Sequence, residues 1–210
     1  MNRKIFPLSS NQLAIFTSQM KMQEAASYNI PLTVKVHNPI NKEILRESVQ
    51  LLMDRHPMLT SCVGFNNYQP RNVLSPVKVD LTNIYLEKKV EVIPTLLEKL
   101  KVCFELTKPP LIKFYHITYG QPDSILFIVY HHLILDDFST SLLDELKLIY
   151  LSKKNNLDIK LPIINSSYEQ HVDWERDYIL NHDCIKDKIF WEDQVKKIVP
   201  MNLSLLPSRY

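Results

Sequence analysis

Two histidines stand side by side at His131 and His132, and an acid, Asp136, follows four positions after the second. The spacing is H-H-x-x-x-D, with another acid, Asp137, directly behind it. An imidazole titrates near about 6.5, so it takes up or releases a proton close to neutral pH. Such a group serves proton transfer to or from a reacting atom, or hydrogen-bond positioning of that atom. A metal centre is less natural, because zinc wants three or four convergent ligands and neighbours on a strand point to opposite faces. The plain alternative is two satisfied structural histidines. The acid and the order of elements around the pair weaken it.

Those elements are legible. Ser124–Tyr130 is mostly apolar and reads as a buried strand. Ser139 or Thr140 begins a helix with Leu142, Leu143, Leu146, Ile149 and Tyr150 on its buried face. The histidines therefore close a strand, the acid sits at a turn, and a helix starts. Loops at strand ends are where reactive groups are commonly presented. Alternation sends His131 and His132 apart, one toward the reaction space and the other inward.

Further along the chain, Ser9 or Ser10 caps a helix to about Met20, and Ile30–His37 alternates as a strand. Asn41 caps a helix to about His56, where Pro57 stops it. Leu59–Phe65 reads as a strand in which Gly64 signals a bulge or turn. Tyr68–Leu74 and Val77–Leu81 are weaker strands, and Glu91–Val102 is a helix. Leu111–Tyr119 and Ser124–His131 form a hairpin across Gly120-Gln121-Pro122-Asp123. A polar connector, Lys153–Lys160, leads to helices near Ser167–Asn181 and Asp183–Ile198. Strands and helices mixed without strict alternation point to an α+β layered sandwich.

A chain of 210 residues fits one ordinary domain with its own core. A net charge of +2 advertises neither nucleic acid nor an acidic membrane surface. No run reaches transmembrane length, and Met1–Ile5 lacks the long apolar segment of a signal peptide. Gly64 and Gly120 are the only glycines, which argues against a phosphate-cradling loop and a nucleotide bound through one. Cys62, Cys103 and Cys184 show no disulfide or metal spacing. They suit a reducing cytoplasm and read as small core residues.

The H-H-x-x-x-D run resembles the active-site motif of the condensation domains of nonribosomal peptide synthetases. Chloramphenicol acetyltransferases and related acyltransferases share that motif. Collinear stretches support the resemblance: Pro7–Phe16 with Ser9, Gln12 and Phe16; Tyr28-Asn29-Ile30; and Arg55-His56-Pro57-Met58-Leu59. Others follow: Phe104-Glu105-Leu106 with Pro110–Lys113, Tyr168 with Trp174 and Arg176, Phe190-Trp191, and Leu206-Pro207-x-Arg209. A motif at position 131 with a long helical stretch behind it resembles the N-terminal lobe of a condensation domain. In the acetyltransferases the motif lies near the C-terminus. The implied fold is a chloramphenicol acetyltransferase-like two-layer sandwich, a mixed sheet covered by helices, forming one lobe of a two-lobe domain. Residues 1–160 would be the core lobe, and 161–210 a helical segment leading to a missing C-terminal lobe.

The resemblance implies amide-bond formation, with a carrier-bound acyl or peptidyl thioester attacked by the amine of a carrier-bound amino acid. His132 would be the base or positioning group. His131, Asp136, Asp137 and Arg55 would be structural at the site. Asp137 stands where the family has Gly, and Thr60 where it has an Arg expected to pair with the motif Asp. Pro57 likewise replaces a Glu. No cofactor is expected to bind directly, since substrates ride on the phosphopantetheine arms of donor and acceptor peptidyl carrier proteins. The other expected partners are the missing lobe and adjacent synthetase domains, not nucleic acid or membrane. This half alone is expected to be weakly active or inactive. The alternatives are a self-sufficient trimeric acyl-CoA-dependent acyltransferase and a non-catalytic module that docks carrier proteins.

Overall fold

A computed structural model of the protein describes residues 4–21, 26–120, 122–136, 140–181 and 184–199. Its strands are β1 (Lys4–Pro7), β2 (Asn29–Val36), β3 (Ser61–Asn66), β4 (Gln69–Leu74), β5 (Leu81–Tyr85), β6 (Ile112–Thr118) and β7 (Ser124–His131). Its helices are α1 (Ser10–Lys21), α2 (Lys42–Arg55), α3 (Val92–Leu100), α4 (Thr140–Lys154), α5 (Tyr168–Leu180) and α6 (Ile185–Lys196). Short 3-10 turns at Pro57–Thr60 and Lys89–Glu91 precede β3 and α3.

The main sheet runs in the order β2-β7-β6-β5. β7 pairs antiparallel with both β2 and β6, and β5 joins β6 in parallel. Every residue of β7 is buried, as expected of a continuous apolar run covered on both faces. Leu32, Phe114, Ile128 and Tyr130 meet Leu52 of α2 and Leu142 and Leu146 of α4 on one face. Helix α3 contacts β2 and β7. Each fully buried large side chain here contributes about 1.5–3 kcal/mol of transfer free energy. The α+β fold expected from the mixed pattern is therefore present.

Local chemistry explains the helix starts. Ser9 Oγ accepts the Gln12 N–H at 3.1 Å while Gln12 Oε1 accepts the Ser9 N–H at 3.1 Å, a reciprocal cap on α1. Asn41 Oδ1 accepts from Glu43 and Ile44 at the start of α2, and Ser167 pairs with Gln170 at the start of α5.

The structure departs from the sequence expectations in four places. A second antiparallel sheet, β1-β4-β3, lies beside the first. Its hairpin turns on Asn67 and Tyr68, both with positive φ (49° and 61°), so no glycine marks it. Residues 75–80 are irregular, and the strand expected at Val77–Leu81 begins at Leu81 instead. Gly64 makes no bulge: it pairs in regular register with Arg71, and a Cβ there would run into the Val73 side chain. Finally, only Cys62 is a core residue, with Cys103 exposed and Cys184 half-buried.

Candidate active site

β7 ends at His131, and the chain then turns through residues 132–135. The His132 N–H donates to the Tyr28 carbonyl at 2.9 Å, which anchors the first residue of the turn to the chain entering β2. His132 Nδ1 lies 3.1 Å from the Leu135 carbonyl oxygen. A carbonyl only accepts, so Nδ1 carries the proton and Nε2 of the neutral ring keeps its lone pair. The half-buried ring borders a cavity of about 710 Å³, whose wall includes Gln12, Tyr28, Met58, Asp136, Tyr168 and Glu175.

His131 occupies the other side, as strand alternation requires. It has no solvent exposure, and its ring packs against Tyr28 and Phe104 with centroids 5.9 and 6.4 Å away. Its Nδ1 accepts the Leu133 N–H at 3.1 Å, and its carbonyl accepts the Ile134 N–H at 3.1 Å. Burial, reinforced by the neighbouring His132, pushes its pKa down to about 4, so the ring is neutral at pH 7. His131 is thus the inward post around which the turn folds.

A buried polar network ties the turn to four other elements, α1, β1, β4 and α5. Gln12 Nε2 donates to the Leu133 carbonyl at 2.9 Å and to Asn72 Oδ1 at 3.1 Å. Asn72 Nδ2 returns to Gln12 Oε1 at 2.9 Å and to the Pro7 carbonyl at 2.8 Å. The Tyr168 hydroxyl donates to Ser9 Oγ at 3.0 Å, which brings α5 into the network. Burial, with Glu175 and Asp136 nearby, holds the Tyr168 phenol above its usual range, so it stays a donor. Glu175 accepts the Ser10 N–H at 2.9 Å and lines the cavity beside His171.

Asn72 carries no sequence signal, because its partners lie on other elements. Tyr168, His171 and Glu175 do carry one: they recur at helical spacing on one face of α5. Among the described residues, no three His, Cys, Asp or Glu side chains converge as metal ligands.

The remaining anticipated site residues divide. Asp136 lines the cavity and is exposed, and its carbonyl accepts from the Tyr130 hydroxyl at 3.3 Å. An exposed carboxylate needs no buried cation, so an Arg at position 60 is not required to neutralise it. Thr60 instead donates to the Pro57 carbonyl at 2.8 Å. Asp137 lies outside the described residues. Arg55 is not on the His132 cavity. Its Nε donates to Glu145 of α4 at 2.9 Å, its Nη2 donates to the Pro162 carbonyl, and His56 Nε2 sits 2.7 Å from the same carboxylate. Burial alone would raise the Glu145 carboxyl, but Arg55 and His56 hold it below the usual carboxylate range. Arg55 lines a neighbouring cavity of about 530 Å³ that shares Met58 and Tyr168 with the first.

Set beside known proteins, this chain and its fold have clear relatives. The family described as Condensation domain matches residues 2–210, so the chain belongs to that family. It is 25% identical over 202 residues to polyketide synthase PksN of Bacillus subtilis (strain 168), covering 93% of this chain and 4% of that protein. It is 25% identical over 207 residues to bacitracin synthase 1 of Bacillus licheniformis, covering 93% and 4%. Among solved structures, the first condensation domain of the CDA synthetase superposes with a TM-score of 0.84 at 17% identity. That match covers 92% of this chain and 51% of the solved one. The starter condensation domain of the rhizomide synthetase RzmA gives 0.82 at 14%, covering 94% and 51%. The chain thus spans about half of these solved chains and a small part of the synthases.

Proposed function

We propose that this chain is the histidine-bearing lobe of a condensation catalyst, with His132 acting on the attacking amine. In the reaction, the amine nitrogen of a carrier-bound amino acid attacks the carbonyl carbon of a carrier-bound acyl or peptidyl thioester. A C–N bond forms, the C–S bond breaks, and the proton lost by the nitrogen ends on the departing thiol. His132 Nε2 accepts that proton or holds the amine in line. His131 and Asp136 fix the turn, and Asp137 and Arg55 keep supporting roles. The observation that carries this reading is the His132 ring itself. Its Nδ1 is bonded to the Leu135 carbonyl, which leaves the lone pair on Nε2 of a ring that borders a large cavity.

Phosphopantetheine arms of donor and acceptor carriers would present both substrates, and a second lobe would complete the cleft. Residues 161–210 would then form the passage between lobes. The exposed apolar side chains of α6, Ile189, Phe190, Trp191 and Val195, support a covered position for that helix in the complete domain. No described helix is long and apolar enough to cross a membrane.

The test is single-turnover condensation with loaded donor and acceptor carriers. It compares this chain, the chain followed by a second lobe, and the two-lobe protein carrying His132→Ala. Turnover is expected only with both lobes, and loss of the imidazole should slow it about 10²–10⁴-fold. An unimpaired His132→Ala protein refutes the role of His132. Turnover by the 210-residue chain alone would instead favour a self-associating acyltransferase.

A further inference from the structure

Where β2 and β7 meet at the edge of the reactive turn, two buried polar atoms lack a hydrogen-bond partner among the described residues: Nε2 of His131 and Oδ1 of Asn29. The two residues are directly opposed in the antiparallel register of β2 and β7, so their side chains lie on the same face of the sheet. The protonation of each group is fixed by its other contacts. His131 Nδ1 accepts the Leu133 N–H, so the proton of the neutral ring is on Nε2. Asn29 Nδ2 donates to the carbonyls of Leu100 and Val102 at 2.8 and 2.7 Å, which determines the amide orientation and leaves Oδ1 as an acceptor. A buried donor and a buried acceptor without partners therefore lie at one register position on one face of the sheet. Leaving both unmet costs free energy that one hydrogen bond recovers.

We propose that Asn29 is a positioning residue for the reactive turn: its side-chain oxygen takes the Nε2 proton of His131, directly after a small ring rotation or through one bridging water. The consequence runs down a short chain of bonds. Asn29 is anchored at the C-terminal end of α3 and holds His131 in the Nε2–H tautomer. That tautomer alone offers Nδ1 to the Leu133 N–H. The carbonyl of Leu133 is in turn held by Gln12, and His132 leaves the turn between these points. A protonated His131, or one with its proton on Nδ1, would turn that acceptor into a donor aimed at an N–H. The catalytic consequence rests on the condensation reading above, whereas the tautomer stands on geometry alone.

Two readouts separate these levels. The first is long-range ¹H–¹⁵N correlation spectroscopy of the imidazole-labelled 210-residue chain at neutral pH. His131 is expected as the Nε2–H tautomer, with a slowly exchanging proton and a nuclear Overhauser contact to the Asn29 amide or to a bound water. In Asn29→Ala that proton should exchange rapidly and the tautomer ratio should shift. A wild-type spectrum with the proton on Nδ1, or with no contact to Asn29 or water, overturns the proposal. So does an Asn29→Ala spectrum identical to wild type. Should Asn29→Ala fail to fold, Asn29→Asp decides: a carboxylate facing the ring must raise the His131 titration midpoint, and an unchanged midpoint is refuting. The second readout is turnover of the two-lobe protein, in which Asn29→Ala should lower kcat about tenfold to a hundredfold at constant KM. Wild-type kcat, where His132→Ala is slowed as expected, removes the positioning role. Total absence of condensation counts against the catalytic reading and leaves the spectroscopic result to judge Asn29.

Discussion

His131 and His132 are adjacent in sequence and opposite in environment. His131 has no solvent exposure and a pKa near 4, so folding removes its ability to hold a proton across mildly acid pH. In the unfolded chain the same ring titrates near about 6.5. Between those values the unfolded state binds the extra proton, so stability is full above the upper value and falls as pH drops toward the lower one. The difference amounts to about 3 kcal/mol for this residue. His116, lowered by burial and by Lys42, adds loss in the same direction. Urea unfolding at pH 7 and pH 4.5 should show that loss, and His131→Phe should flatten the dependence. A wild-type midpoint that is level across this window would refute the burial of a neutral ring. Strand alternation alone was enough to separate the two histidines. It could not reveal that Gln12 and Asn72 brace them, since those partners lie 60 residues apart.

At the scale of elements, the hairpin β3–β4 is closely packed at Gly64. Gly64 faces the Val73 side chain with no room for a methyl group, so Gly64→Ala should cost about 1–3 kcal/mol by overpacking. Thermal unfolding measures this directly. A variant as stable as the parent would mean that the two strands separate freely. Helices with side-chain caps were legible within a residue or two, because Asn41 and Ser167 announce their own starts. Strands 3 to 5 were harder. Val77 and Val79 alternate like a strand but have no ladder partner, and the Asn67–Tyr68 turn lacks the glycine that usually marks a hairpin. Which strands pair depends on distant chain, and a local pattern carries no record of it.

At the scale of the whole molecule, the exposed apolar side chains of α6 are the outstanding feature. Phe190 and Trp191 are 55% and 63% exposed, with Ile189 and Val195 beside them. Exposed apolar surface of this kind drives association when nothing covers it. Light scattering of the chain alone should show mass rising with concentration. The double substitution Phe190→Ser, Trp191→Lys should suppress that rise without disturbing the main sheet. A chain that stays monomeric, and binds no hydrophobic dye, would mean that α6 folds its apolar side chains away in solution.

The pairing of β2 with β7 also sets an order of events during synthesis. β2 leaves the ribosome about a hundred residues before the strand that completes it, and at roughly 5–20 residues per second that wait lasts about 5–20 s. Through that interval Ile30, Leu32 and Val34 have no ladder to join. Pro31, which has no amide proton to offer another chain, and Lys35, which carries charge along the strand, make β2 a poor template for intermolecular pairing. The nascent segment thus carries its own protection against aggregation until His131 arrives opposite Asn29.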